Sequence, residues 1–224
     1  AYLKAHYGVE FMAALMTHDM EDSDKTFKNF NECRKQGIQV LPPSVNESSA
    51  GFAVRGPKIL FGLEAVRGTG QKAVEAILKA RQDGPFSDLE DLIARVDLHN
   101  VNKRVVENLV RSGGFDFSKV SRREMFERIE ELLRIFSAQK NVDPNQMSLF
   151  GGTTSRPTVP KRPFQLPEWP VNQKLAYERE ALGFYISGHP LEKFRGDLKR
   201  LGAISTADFK VTKQREVRVG GVVT

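Results

Sequence analysis

The chain has 224 residues, 40% of them hydrophobic and 28% charged, a balance that builds one ordinary core or two small ones and excludes disorder throughout. Its formal net charge of +6 favours an anionic partner such as nucleic acid, a composition also found in proteins that bind none. The single cysteine, Cys33, excludes an internal disulfide and a cysteine-rich zinc site and points to a reducing, cytoplasmic compartment, while no apolar run approaches the roughly 20 residues that cross a bilayer and no signal-peptide pattern opens the chain.

Leu3, Tyr7, Phe11, Ala14 and Leu15 recur at helical spacing and predict a helix over residues 1–16. A second helix is predicted over 23–36, stopped by Gly37, with Asp22 and Asp24 at its start in a capping rather than a metal-binding role. Residues 38–41 read as a β run closed by Pro42-Pro43, and 51–61 as two short strands turned at Gly56-Pro57. From 62 to 137 short helices alternate with glycines: 63–66, 71–83, 102–112 and 121–137, with a shorter one over 88–96 between the pairs. Proline, glycine, threonine and serine dominate 141–170, which predicts an exposed linker. Helices follow over 171–182 and 191–201, then an apolar run at 217–223 that reads as an opening strand. The fold class expected is mainly α with small β elements. Both ends of the chain fall inside predicted elements, so the sequence reads as a segment of a longer polypeptide.

The most specific local chemistry is Gly68-Thr69-Gly70 between a short helical run and the helix that starts at Gln71. Glycines admit positive φ and carry no Cβ, so such a turn gathers backbone N–H groups at a helix N-terminus, a geometry suited to a phosphate oxygen. Arg67, Lys72 and Lys79 add positive charge beside it, and Ala73, Val74, Ile77 and Leu78 form the packing face. The plain alternative is that the glycines merely end one helix and start another. A dinucleotide-binding fingerprint fails, because no βαβ unit leads into the turn. The second pair of helices is joined through Gly113-Gly114-Phe115-Asp116 and lacks a Gly-x-Gly. Lys103, Arg104, Arg111, Lys119, Arg122 and Arg123 there either meet the second DNA strand or form a solvated basic face, and both readings stand open.

In the linker, Gln146-Met147-Ser148-Leu149-Phe150 combines a polar anchor with two apolar plugs, suited either to a partner's groove or to this protein's own core. No tight pair of aspartates lies on an apolar strand, and His6, His18, His99 and His189 are scattered, with His189 in a structural position before Pro190. No catalytic or metal-binding residue is predicted within the chain.

These residues carry a resemblance along essentially the whole sequence. Tyr2-Leu3-Lys4-Ala5-His6-Tyr7, Glu10-Phe11-Met12-Ala13-Ala14-Leu15 and the stretch Gly37 through Asn46 resemble the end of the fingers region of the bacterial DNA polymerase III alpha subunits. Phe61 through Gly70 and Asn102 through Asp116 resemble their tandem helix-hairpin-helix domain, and Glu180 through Leu191 is similar to the segment before their OB fold. The resemblance implies a fingers end at 1–54, a tandem helix-hairpin-helix domain at 55–138, a linker at 139–170, and a connector with the first OB strand at 171–224. It implies double-stranded primer–template DNA as a partner, held through Arg67, Gly68, Thr69, Gly70, Lys72, Lys103, Arg104, Gly113 and Gly114. It also implies binding of the β sliding clamp through Gln146, Leu149 and Phe150, and contact with the remaining polymerase chain and holoenzyme. The catalytic aspartates, and the magnesium they hold in the whole polymerase, are placed upstream of Ala1, leaving no cofactor expected in this segment.

Overall fold

In the computed structural model, which describes residues 2–140, 166–203 and 218–221, the N-terminal helical stretch is broken into α1 (Tyr2–His6) and α2 (Gly8–His18). Tyr7 takes φ −133° and ψ 51°, outside the helical region, and Gly8 is a weak helix former, so the single predicted helix does not form. The buried face also differs from the predicted one: Met12, Ala13 and Met16 turn inward while Leu3 and Tyr7 are exposed. Residues 11–16 are apolar on every side, so spacing alone does not fix which stripe is covered.

Helix α3 (Ser23–Lys35) begins at Asp22, whose carboxylate accepts from the N–H groups of Asp24 (3.0 Å) and Lys25 (3.1 Å), the capping role anticipated. Those bonds, Lys25 foremost, hold the Asp22 carboxyl below its usual range. The helix stops ahead of Gly37, at φ +73°. Cys33 is fully buried beside Met16, and burial, helped by Glu32, pushes its thiol up to about 11.

Strands β1 (Gln39–Leu41), β2 (Ala53–Arg55) and β3 (Lys58–Leu60) form one sheet in the order β1-β3-β2. The β2–β3 hairpin turns at Gly56-Pro57 as predicted, and β1 joins β3 in parallel. Gly62, just beyond, lies where a Cβ would strike the backbone of Ala50 and Gly51, so only glycine fits.

Residues 63–66 were expected to be helical and instead form consecutive turns, closed by Val66 N–H to the Leu63 carbonyl (3.2 Å) and Thr69 N–H to the Val66 carbonyl (3.0 Å). A run of one turn does not recover the cost of helix nucleation. The N–H groups of Leu63 and Glu64 meanwhile pair with the carbonyls of Ser49 and Ala50. Helices α4 (Gln71–Arg81), α5 (Leu89–Arg95), α6 (Lys103–Ser112) and α7 (Arg122–Lys140) follow close to prediction. Asp88 caps α5 and Asn102 caps α6, each accepting from a backbone N–H three residues on.

Helix α8 (Val171–Leu182) packs on α6. The helix expected over 191–201 divides into a 3-10 turn, Glu192–Phe194, and α9 (Arg195–Arg200). The described part of the expected terminal strand, 218–221, is not in a strand; Gly220-Gly221 supplies no side chains to pack there. A continuous core runs from Met12 to Phe184, with the Phe184 ring 4.6 Å from Phe30 and 6.0 Å from Phe61. The result is mainly helical with a small sheet. Among the described residues no helix is long and apolar enough to cross a membrane.

Candidate nucleic-acid interface

The loop from Arg67 to Gly70 is held from two sides. Arg67 N–H donates to the carbonyl of Ala181 at the end of α8 (2.8 Å), and its carbonyl accepts from the side-chain amide of Asn108 on α6 (2.6 Å). Gly68 adopts φ +77°, and a Cβ there would sit 3.3 Å from the Asn108 amide and 3.5 Å from the Arg104 guanidinium. Thr69 turns inward and is buried, its hydroxyl without a partner among the described residues. Gly70 then caps α4 at φ −77° and ψ 165°, a conformation open to any residue, and a Cβ on it would meet nothing within 4 Å.

No described group accepts from the N–H of Gly68, Gly70, Gln71 or Lys72. Three of these are the unpaired donors of a helix N-terminus, where the helix dipole also favours an anion. Arg67 on the loop and Lys72 in the first turn of α4 are exposed. Arg104, placed by the sequence in the second pair of helices, lies alongside Gly68 and brings its charge to the first loop. Exposed cations are thus next to the free backbone donors in the chain, at Arg67 and Lys72, and Arg104 adds one from α6 beside Gly68.

The second turn has a different construction. Gly113 N–H donates to the Val110 carbonyl (3.2 Å) and Gly114 N–H to the Leu109 carbonyl (2.7 Å), which closes the C-terminus of α6 as a Schellman motif. Both glycines are buried, and the Arg122 guanidinium occupies the space that a Gly113 Cβ would take. Arg122 is itself buried, donating to Asp116 through Nε (2.7 Å) and Nη2 (2.5 Å) and to the Arg111 carbonyl through Nη1 (2.9 Å). The N-terminus of α7 is occupied by the Glu168 carboxylate, which accepts from the N–H groups of Arg122 (3.2 Å) and Arg123 (3.3 Å). The Arg111 guanidinium lies over the rings of Phe126 and Tyr177, each 4.9 Å away, and pairs with Glu180. Lys103 pairs with Glu130 at 2.8 Å on the surface, a contact that raises the lysine's pKa and lowers the carboxyl's.

Comparison with known proteins agrees with this architecture. A family model described as "Helix-hairpin-helix motif" matches residues 37–125, a range that holds both turns. The DNA polymerase III subunit alpha of Vibrio cholerae is 37% identical over 227 residues, covering 99% of this chain. Those of Mycobacterium leprae and Mycobacterium tuberculosis are 40% and 39% identical and cover all of it. This chain belongs to the DNA polymerase III alpha subunit family. It spans about a fifth of the length of these relatives, 20% in each of the three.

Within this family segment, the residues expected to meet the clamp, Gln146, Leu149 and Phe150, lie outside the described residues. Among the described residues no group of three or more His, Cys, Asp or Glu side chains is placed to hold a metal ion. His189 Nδ1 accepts from the Leu191 N–H at 3.2 Å, the structural role anticipated for it. Asn108 is the site residue that sequence reasoning missed. It stands among Val105, Val106, Leu109 and Val110 on the buried face of α6, and a polar side chain in such a stripe calls for a buried partner.

Proposed function

We propose that this chain is the non-catalytic, DNA-gripping and clamp-tethering part of a cytoplasmic replicative polymerase, in which the first glycine turn holds duplex DNA by its phosphates. The observation that carries the reading is Gly70. Its backbone conformation does not require glycine and its own fold leaves open space there, so the missing Cβ is explained by close approach of a ligand to the free N–H groups at the start of α4. Arg67 and Lys72 flank the turn in the chain and are exposed, and Arg104 lies beside Gly68, so positive charge is close at hand. Contacts of backbone donors with phosphate position the protein without reading bases, so binding is sequence-tolerant and weakens with salt.

In this reading the second pair of helices is a support: it supplies Asn108 and Arg104 to the first loop while its own turn closes on itself. Gln146, Leu149 and Phe150 engage the sliding clamp, and the two attachments together raise the effective concentration of the polymerase at the primer terminus. The DNA contact is tested by titrating labelled duplex with the native protein and with a folded Gly70→Asp, Lys72→Glu variant. The reading predicts at least a tenfold loss in the variant, on the order of the 1–3 kcal/mol typical of charge-assisted contacts; equal affinities would refute it. Clamp engagement is tested separately with Leu149→Ala plus Phe150→Ala, which leaves clamp affinity unchanged if the tether is wrong.

A further inference from the structure

Beside the Gly68 loop, the end of α8, the residues after it and the 3-10 turn enclose a cavity of about 730 Å³. Its lining sets three cations, Arg67, Arg179 and Lys193, around the rings of Tyr185 and Phe194, with Glu180 as its single carboxylate. Glu180 is already paired with Arg111 at 3.1 Å, so the cavity keeps a positive balance. An adjoining cavity of about 890 Å³ shares Arg67, Arg179 and Tyr185, adds Arg34 together with the carboxylates of Asp24 and Glu192, and continues toward α3, so the two form one groove whose cations are concentrated at the α8 end.

The wall that carries Tyr185 is fixed from below. Glu178, with no exposed surface, accepts from the N–H groups of Ile186 (3.0 Å) and Ser187 (3.0 Å) and from the Ser187 hydroxyl (3.1 Å). A buried carboxylate anchoring three donors holds the turn in one conformation, so the ring is presented without an ordering cost at binding. Phe194, in the same lining, is 46% exposed, with the Lys193 ammonium 4.8 Å from its ring centroid.

The geometry points to a second nucleic-acid subsite: this groove takes unpaired nucleotides of a single strand that continues from the gripped duplex, with bases on Tyr185 and Phe194 and phosphates on Arg67, Arg179 and Lys193. The inference rests on the proposed duplex grip. Paired bases are closed inside the double helix and offer no face to an aromatic ring, whereas an unpaired base does. Cations interleaved with aromatic rings are the pattern that a single strand recognises, and its affinity is tolerant of sequence for that reason. Arg67 belongs both to the rim of the Gly68 loop and to this groove, which joins the two surfaces.

The test compares blunt duplex, the same duplex with a single-stranded extension of about ten nucleotides, and the same extension made abasic. The extension is expected to strengthen binding by the purified protein roughly fivefold to tenfold, and the abasic extension to lose most of that gain. Phe194→Ala and Arg179→Ala, both at exposed side chains, are expected to remove the gain and leave blunt-duplex affinity unchanged. An extension that adds nothing while blunt duplex still binds overturns the subsite and spares the grip. A gain that survives the double variant also overturns it, and a gain abolished by low concentrations of free deoxynucleotide reassigns the groove to that ligand. If blunt duplex itself fails to bind, the grip falls and this inference falls with it.

Discussion

Gly68 and Gly113 both sit at positive φ, +77° and +90°, and each leads through a turn toward a helix, α4 in one case and α7 in the other. At the first, the N–H groups of Gly70, Gln71 and Lys72 face outward without acceptors; at the second, the glycine N–H groups close α6 and the Glu168 carboxylate fills the N-terminus of α7. Apart from the exposed Lys119 at the second turn, basic side chains divide the same way. Lys72 and Arg104 are exposed around the first loop, whereas Arg122 and Arg111 are packed into the protein around the second. A repeated motif therefore carries two different kinds of information: one copy leaves its helix N-terminal donors open, and the other satisfies them internally.

Arg122→Ala gives the largest expected effect on this contrast. It strips three hydrogen bonds from the second turn, including the pair to a partly exposed Asp116, and removes about 2–4 kcal/mol of stability in urea unfolding. Duplex affinity of the folded fraction stays unchanged. Gly113→Ala costs about 1–3 kcal/mol, because a side chain there meets both an unfavourable φ and the Arg122 guanidinium. Glu168→Ala unfastens the start of α7 at a cost of about 1 kcal/mol and does not lower duplex affinity, since it exposes donors and removes a negative charge. At Gly70 the signs reverse: Gly70→Ala changes stability by less than about 0.5 kcal/mol while weakening duplex binding several-fold, by keeping phosphate away from the loop. The smallest effect is Arg104→Ala, which lowers the slope of log affinity against log salt by about one.

Much of the frame was legible because local chemistry determines it. Asp22, Asp88 and Asn102 are good N-caps in sequence and they cap α3, α5 and α6 in the fold. Gly56-Pro57 set the β2–β3 turn, but the parallel pairing of β1 with β3 joins residues about twenty apart and leaves no local signal. The inward face of α2 was missed because residues 11–16 are apolar all round, and 63–66 was read as a helix because its side chains fit one although its length does not. Within the candidate site, the Gly68 turn was visible and its surroundings were not. That Arg104 crosses to the first loop, that Asn108 ties it down, and that Glu168, inside the stretch read as an exposed linker, caps α7 beside the buried Trp169 are consequences of tertiary packing. Basic residues in one stretch of sequence do not say which of them stay in water.

The central claim is that the first turn, and not the second, holds phosphate. The most direct measurement is a fluorescence-anisotropy titration of labelled primer–template duplex across a range of salt, setting Gly70→Asp with Lys72→Glu against the exposed reversal Lys119→Glu at the second turn. A phosphate grip at the first turn gives at least a tenfold loss and a shallower salt dependence for the first variant, and affinity within about twofold of the native protein for the second. Equal losses in both, or a larger loss at the second turn, would contradict it.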